Sequence, residues 1–216
     1  MLLSFLKKTV VVPDMSIYNA FNVMSIPYRK DDAIDCLDLT ITFDELIDNV
    51  RVLSKAFKEL GIKKGDIVVV SMPNYSQAVA SFFAANKIGA TITFLNSHSN
   101  IDEVKHYLNL FESPLLINYN RDEEYNNSIK KDTKVRQIIT LKKKDLNRKD
   151  FNIASDSLIG YNDLISYGDL KLIGDFYRKP FNTLYGGKEN ALILFTSGTT
   201  GNPKSVVLTN KNVLRK

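Results

Sequence analysis

Two short runs, Ile67-Val68-Val69-Val70-Ser71 and Thr91-Ile92-Thr93-Phe94-Leu95, bracket a helix-patterned stretch that opens after Pro73-Asn74 and closes at Gly89. Each run is β-branched and apolar almost throughout, the pattern of a strand covered on both faces. Between them Val79, Phe82, Phe83 and Ile88 suggest a helix, with Asn74 and Gln77 as its cap, and Gly89 ends it. A strand, a helix of this length and a second strand form a crossover unit, which implies parallel pairing.

The same grammar extends both ways. Upstream, Phe43, Leu46, Ile47, Val50, Leu53, Phe57 and Leu60 recur at spacings of three and four, predicting a helix over residues 43–60. Thr42 with Glu45 three residues later reads as a capping box, and Gly61-Ile62 as a left-handed stop with an apolar residue packing back. Downstream, the loop Asn96 to Asn100 leads into a third helix through Leu110, and Leu115-Leu116-Ile117 is a further strand. The fold class is α/β, a largely parallel sheet with flanking helices. Residues 1–117 are well patterned and 118–190 less regular. The latter region holds a strand at Gln137–Leu141, a short helix at 162–167 and glycines 160, 168, 174, 186 and 187. Apolar order returns over 191–216, where Ala191 to Phe195 is a strand.

Composition narrows the class. The chain has 216 residues, 44% hydrophobic and 25% charged, which is ordinary for a globular protein and excludes disordered and collagenous readings. No apolar stretch reaches the roughly 18 to 20 residues of a membrane span, and Lys7 and Lys8 interrupt the apolar opening before it becomes a signal-peptide core. A single cysteine, Cys36, excludes an internal disulfide and points to a reducing, cytoplasmic setting. The net charge of +5 is concentrated around Lys142-Lys143-Lys144 and Arg148-Lys149, flanked by Asp145 and Asp150. With no aromatic interleaved to stack on a base, this reads as a solvated turn and no nucleic-acid partner is expected.

The chemistry sits after the final long strand, in Thr196-Ser197-Gly198-Thr199-Thr200-Gly201-Asn202-Pro203-Lys204. Two glycines three apart allow positive φ and present successive backbone N–H groups to an anion. The hydroxyls of Thr196, Ser197, Thr199 and Thr200 add donors, Pro203 stiffens the exit, and Lys204 places a charge where phosphate charge would sit. The common nucleotide-hydrolase loop has four residues between its glycines and a Gly-Lys pair opening a helix. Here the gap is two, and Ser205-Val206-Val207-Leu208-Thr209 predicts a second strand, so the loop joins a hairpin. Hydroxyls, amides and lysine must then supply binding, together with a metal ion.

Phe195 to Thr209 resembles the signature of the adenylate-forming (AMP-binding) enzymes, which include acyl-CoA synthetases, luciferases and nonribosomal peptide adenylation domains. Thr42 to Ile117 resembles their amino-terminal half in the same order of helix, Gly-Ile-Lys-Lys-Gly-Asp, strand, Met-Pro-Asn, helix, Lys-Ile-Gly-Ala, strand and Leu-Asn. The resemblance implies that a carboxylate, with a fatty acid as one candidate, attacks the α-phosphorus of ATP to give an acyl-adenylate and pyrophosphate. The thiol of CoA then displaces AMP. By the same resemblance Thr196, Ser197, Gly198, Thr199, Thr200 and Gly201 wrap the β- and γ-phosphates, Thr196 is a candidate Mg²⁺ ligand, and Lys204 is the catalytic cation near the departing pyrophosphate. Ser205 stands where the family commonly has glycine and Asn210 where it commonly has histidine. Gly198-Thr199-Thr200-Gly201 is the form associated with CoA ligases. Family members run on for hundreds of residues, so the resemblance implies an amino-terminal fragment of the AMP-binding domain, inactive alone. Competing readings are an adenylation domain loading a carrier protein and a non-catalytic nucleotide- or phosphate-binding module.

Other residues read more plainly. His98 and His106, eight apart, have no standard ligand spacing, with only Cys36 to join them. Glu123-Glu124 reads as a solvated pair on an Asn-rich loop. Phe82 and Phe83 read as core in preference to an acyl pocket. Cys36 has no evident cationic neighbour or helix start to make it reactive.

Overall fold

In the computed structural model the placement of residues 13–143, 146, 185–196 and 204–215 is described. The helix expected at 162–167, the glycines 160, 168 and 174, the basic residues Lys144, Arg148 and Lys149, and the loop interior 197–203 lie outside them.

Strand β3 (Ile67–Ser71) is central to a six-stranded sheet. It pairs in parallel with β4 (Thr91–Leu95) on one side and β5 (Leu115–Tyr119) on the other. Strand β6 (Gln137–Leu141) extends the sheet beyond β5 and β7 (Asn190–Thr196) beyond β4, both parallel. Among the described strands of this sheet only β8 (Lys204–Thr209) is antiparallel, as the hairpin partner of β7, and the order is β6-β5-β3-β4-β7-β8.

Strand alternation divides the core between two faces. Val68, Val70, Ile92, Leu115, Ile117, Ile139 and Leu141 meet α1 (Ile17–Met24), α2 (Phe43–Glu59) and α3 (Ser76–Lys87). Val69, Leu116 and Ile138 meet α4 (Ile101–Leu110) and α5 (Glu123–Asp132) through Val104, Tyr107, Leu108 and Ile129. Val68, Val69 and Val70 are all fully buried, each contributing about 2 kcal/mol of hydrophobic stabilisation. This two-sided cover is what the β-branched run required.

Helix α2 begins as expected. Thr42 Oγ1 accepts from the Glu45 amide at 3.3 Å, and Glu45 Oε2 accepts from the Thr42 amide at 2.9 Å. It ends at Gly61, φ +78°, with the Ile62 amide bonded to the Phe57 carbonyl and Ile62 in the core.

Helix α3 departs from expectation in two ways. Its cap residue is Tyr75, with no side-chain cap bond, and Asn74 is exposed. Its buried face is Ala78, Ala80, Ser81, Ala84 and Ala85, while Val79 is 36% exposed. Small residues fill the face towards α2, and of the four larger apolar residues expected inside, Val79 faces outward while Ile88 is in the core. Phe82 and Phe83 do pack against the core, Phe83 stacking on Phe21 at 4.3 Å.

Three features were missed in the sequence: an apolar helix, a short hairpin and a polar helix. Helix α1, capped by Ser16, and the hairpin of β1 (Asp32–Cys36) with β2 (Leu39–Thr42) precede α2. Glu123-Glu124, expected on a loop, form the first turn of α5, where Asp122 Oδ1 accepts from the Tyr125 amide at 2.8 Å. Only Asn126 and Ile129 of that helix are buried, too few apolar positions for a periodic signal.

Candidate functional site

The five parallel strands send their carboxyl ends to one edge of the sheet. From that edge the chain leaves β3 towards the α3 face, and leaves β4 and β5 towards the opposite face. Loops that diverge from neighbouring strands open a crevice at the carboxyl edge, the place where open α/β sheets receive ligands. Strand β7 ends at the same edge with Thr196.

The hairpin sets the ends of the Gly/Thr/Ser-rich loop opposite each other. Thr196 is the register partner of Lys204, and its Oγ1 donates to the Lys204 carbonyl at 3.4 Å. Both residues are exposed, so hydroxyl and ammonium are open to a ligand. Ser197, Gly198, Thr199, Thr200 and Gly201 lie outside the described residues. Behind the tip, Phe195 packs on Tyr107 at 4.5 Å and Phe111 at 6.2 Å, joining β7 to α4. Ser205, where a glycine was the commoner residue, is in extended strand opposite Phe195 and exposed, a position that accepts any side chain.

Asn210 sits at the other end of the hairpin. Thr209 opposes Asn190 at the base of β7, so Asn210, the first residue of α6 (Asn210–Leu214), lies at the amino edge of the parallel strands, away from the loop. It is 1% exposed. Its Oδ1 accepts from the Ile17 amide at 3.1 Å and from Asn86 Nδ2 at 2.7 Å, and its Nδ2 donates to the carbonyls of Gly186 and Glu189 at 3.0 and 3.4 Å.

Sequence reasoning missed the polar groups at the carboxyl edge. Tyr75 and Tyr119, after β3 and at the end of β5, meet edge to face at 5.2 Å, and burial with the Tyr75 contact raises the Tyr119 phenol pKa. Asn118 Nδ2 donates to Asn126 Oδ1, and Asn126 Nδ2 to Thr140 Oγ1, each at 2.9 Å, in a buried seam between β5, α5 and β6. Arg121 reaches the carbonyls of Ser97 and Ser99 at 3.3 and 3.4 Å and lies over the Tyr125 ring. An asparagine interrupting a strand pattern, as at Asn118, was the available signal.

His98 is exposed on the β4–α4 loop and His106 on the surface of α4. Among the described residues no group of three or more His, Cys, Asp or Glu side chains is arranged for a metal ion. No helix among them is long and apolar enough to cross a membrane.

The model of the AMP-binding enzyme family matches residues 28–216, and the chain belongs to that family of adenylate-forming enzymes. It is 28% identical over 213 residues to 4-coumarate–CoA ligase 3 of Arabidopsis thaliana, covering 94% of this chain and 34% of the relative. It is 39% identical over 70 residues to an acetyl-coenzyme A synthetase of Vibrio parahaemolyticus, covering 32% of this chain and 10% of the relative. Among solved structures, the anthranilate CoA ligase AuaEII in complex with anthranoyl-AMP superposes with a TM-score of 0.73 at 17% identity. That match covers 93% of this chain and 35% of the ligase and bears on the fold alone. The chain thus spans about a third of the length of the Arabidopsis relative.

Proposed function

We propose that the chain forms the amino-terminal part of the AMP-binding domain of an AMP-forming acyl-CoA synthetase. The observation that carries the reading is the β7–β8 hairpin, which holds Thr196 against Lys204 at the carboxyl edge of the parallel sheet. In this reading a carboxylate oxygen attacks the α-phosphorus of ATP, pyrophosphate leaves, and the CoA thiol displaces AMP from the acyl-adenylate in a reducing, cytoplasmic setting. Residues Thr196 to Gly201 orient the β- and γ-phosphates with hydroxyl and amide donors. Lys204 neutralises charge that accumulates on the departing pyrophosphate, so barrier lowering is alignment plus electrostatics. The exposed Thr196 hydroxyl is a hard oxygen donor that fits Mg²⁺, with waters and phosphate oxygens as the remaining ligands. Bound there, the ion would supply charge neutralisation to the phosphates. CoA is favoured over a carrier protein because the two relatives named above are, by name, a CoA ligase and a coenzyme A synthetase.

Carboxylate-dependent ATP–pyrophosphate exchange tests the reading. Exchange is expected from a polypeptide of the relatives' full length and not from residues 1–216 alone. In the longer polypeptide Lys204→Ala should lower it by about 10²- to 10³-fold. Absence of exchange with every acid in a broad panel would overturn the reading. ATP binding by residues 1–216 without exchange from the longer form would favour a non-catalytic binding module.

A further inference from the structure

Apart from the Phe195 contact with Tyr107 and Phe111, the tip of the β7–β8 hairpin is tied to the sheet from its base. Strand β7 pairs with β4 only at Ile92↔Leu192 and Thr93↔Ile193, and beyond Ile193 its described partner is β8 alone. Thr196 lies six residues from Asn190, about 20 Å along an extended strand. At the base the register carries a bulge. Asn190 opposes Thr209 and Leu192 opposes Leu208, so β7 spends two residues where β8 spends one, with Ala191 buried as the extra residue. Whatever holds that bulge decides which residue of β8 faces Thr196. A slip of one residue would move Lys204 out of register and to the other face of the ribbon.

Asn210 is placed to hold it. The donor arm of its amide and its own backbone N–H all reach the segment entering β7: Nδ2 to Gly186 O and Glu189 O, and N to Glu189 O at 2.9 Å. The Lys211 amide adds a bond to Gly187 O at 2.8 Å, and the Gly187 amide donates to Asp14 Oδ1 at 2.6 Å. The acceptor arm ties the same amide to α1 and α3 through Ile17 N and Asn86 Nδ2. Both donors and both acceptor positions of the side chain are therefore used in a buried site, where each lost partner is costly.

We propose that Asn210 is a positioning residue for the phosphate-binding loop, setting from the hairpin base the register that puts Lys204 opposite Thr196. The proposal rests on the phosphate-loop reading for its functional consequence, but its geometric claim is testable without nucleotide. Leu194 and Val206 are register partners near the tip and both are exposed, so Leu194→Cys with Val206→Cys in a Cys36→Ser background reports the register by disulfide formation. Cross-strand partners in register lie within the Cα separation of about 4.4–6.8 Å that a disulfide accepts.

With Asn210 intact in the full-length protein, the pair should oxidise readily. Asn210→Ala should reduce cross-linking about tenfold, because slipped partners leave that range. Asn210→Asp, which keeps the acceptor arm and loses the donors, should do the same and serves if the alanine variant does not fold. Asn86→Ala removes one partner of the acceptor arm and the acceptor of the Tyr18 amide but leaves the donor arm of Asn210 intact, and should lower Tm while leaving the cross-link and the KM for ATP unchanged. In ATP–pyrophosphate exchange both Asn210 variants should lose about a hundredfold in kcat/KM for ATP, the effect of a misplacement near 1 Å, with the KM for the acid unchanged. Unchanged cross-linking in both Asn210 variants would overturn the proposal. Absence of exchange in the parent would instead overturn the phosphate-loop reading and leave the cross-link result standing.

Discussion

Lys87, in the last turn of α3, holds its ammonium 5.3 Å from the centroid of the Tyr18 ring. Burial lowers its pKa to about 8, and the nearby Arg51 and Lys58 charges push in the same direction. At pH 7 the amine is protonated in both states, and the folded chain bears the cost of a confined charge. Between about pH 8 and 10.5 the folded protein has released a proton that the unfolded chain still holds, so stability rises with pH across that window. Lys87→Met should therefore be more stable than the parent at pH 7, by at most about 3 kcal/mol, with the advantage shrinking towards pH 10.5. Urea denaturation at several pH values checks this, and a gap independent of pH would contradict it.

At the scale of elements, the chain relies on sharply defined ends. Gly89 closes α3 at φ +77°, and a Cβ there would lie 2.8 Å from the Tyr185 ring. Gly89→Ala should cost about 1–3 kcal/mol from the left-handed backbone together with the ring contact. Adding Tyr185→Ala should recover only the steric part, so a double-mutant cycle in thermal unfolding separates the two causes. At the other kind of terminus, Thr42→Ala removes the hydroxyl that accepts the Glu45 amide and should cost about 1 kcal/mol, with Thr42→Ser close to neutral. These ends were legible because capping and left-handed stops are local. The alanine and serine part of the inner face of α3 was not, because these residues carry little hydropathy and reach the core only where another helix comes close.

For the molecule as a whole, the core lies on both sides of the sheet while the loop ends project from one edge. Stability and the proposed chemistry are thereby separable. Lys204 is exposed, so Lys204→Ala should leave the midpoint of unfolding within about 0.5 kcal/mol of the parent while exchange in the full-length polypeptide collapses. A matching loss of stability would mean that the lysine is part of the scaffold and not of the site.

Much of this architecture follows from neighbours in the chain. Hydrophobic period, β-branched runs, the capping box and the glycine stops depend on contacts a few residues apart, and they suffice for the parallel α/β sheet and the hairpin between Phe195 and Thr209. The phosphate-loop reading proposed for residues 196–204 rests on neighbours too, since its donors are consecutive. Helix α5 was not, because its sequence is polar and buries only Asn126 and Ile129, and the β1–β2 hairpin was not, because strands of five and four residues give too short a pattern. The role proposed for Asn210 depended most on the fold. An asparagine beside a strand end suits many settings, and only tertiary structure brings Ile17, Asn86, Gly186 and Glu189, up to 193 residues distant, around one amide. Buried hydrogen bonds between remote segments leave no periodic trace in sequence, because their geometry exists only once the chain has closed on itself.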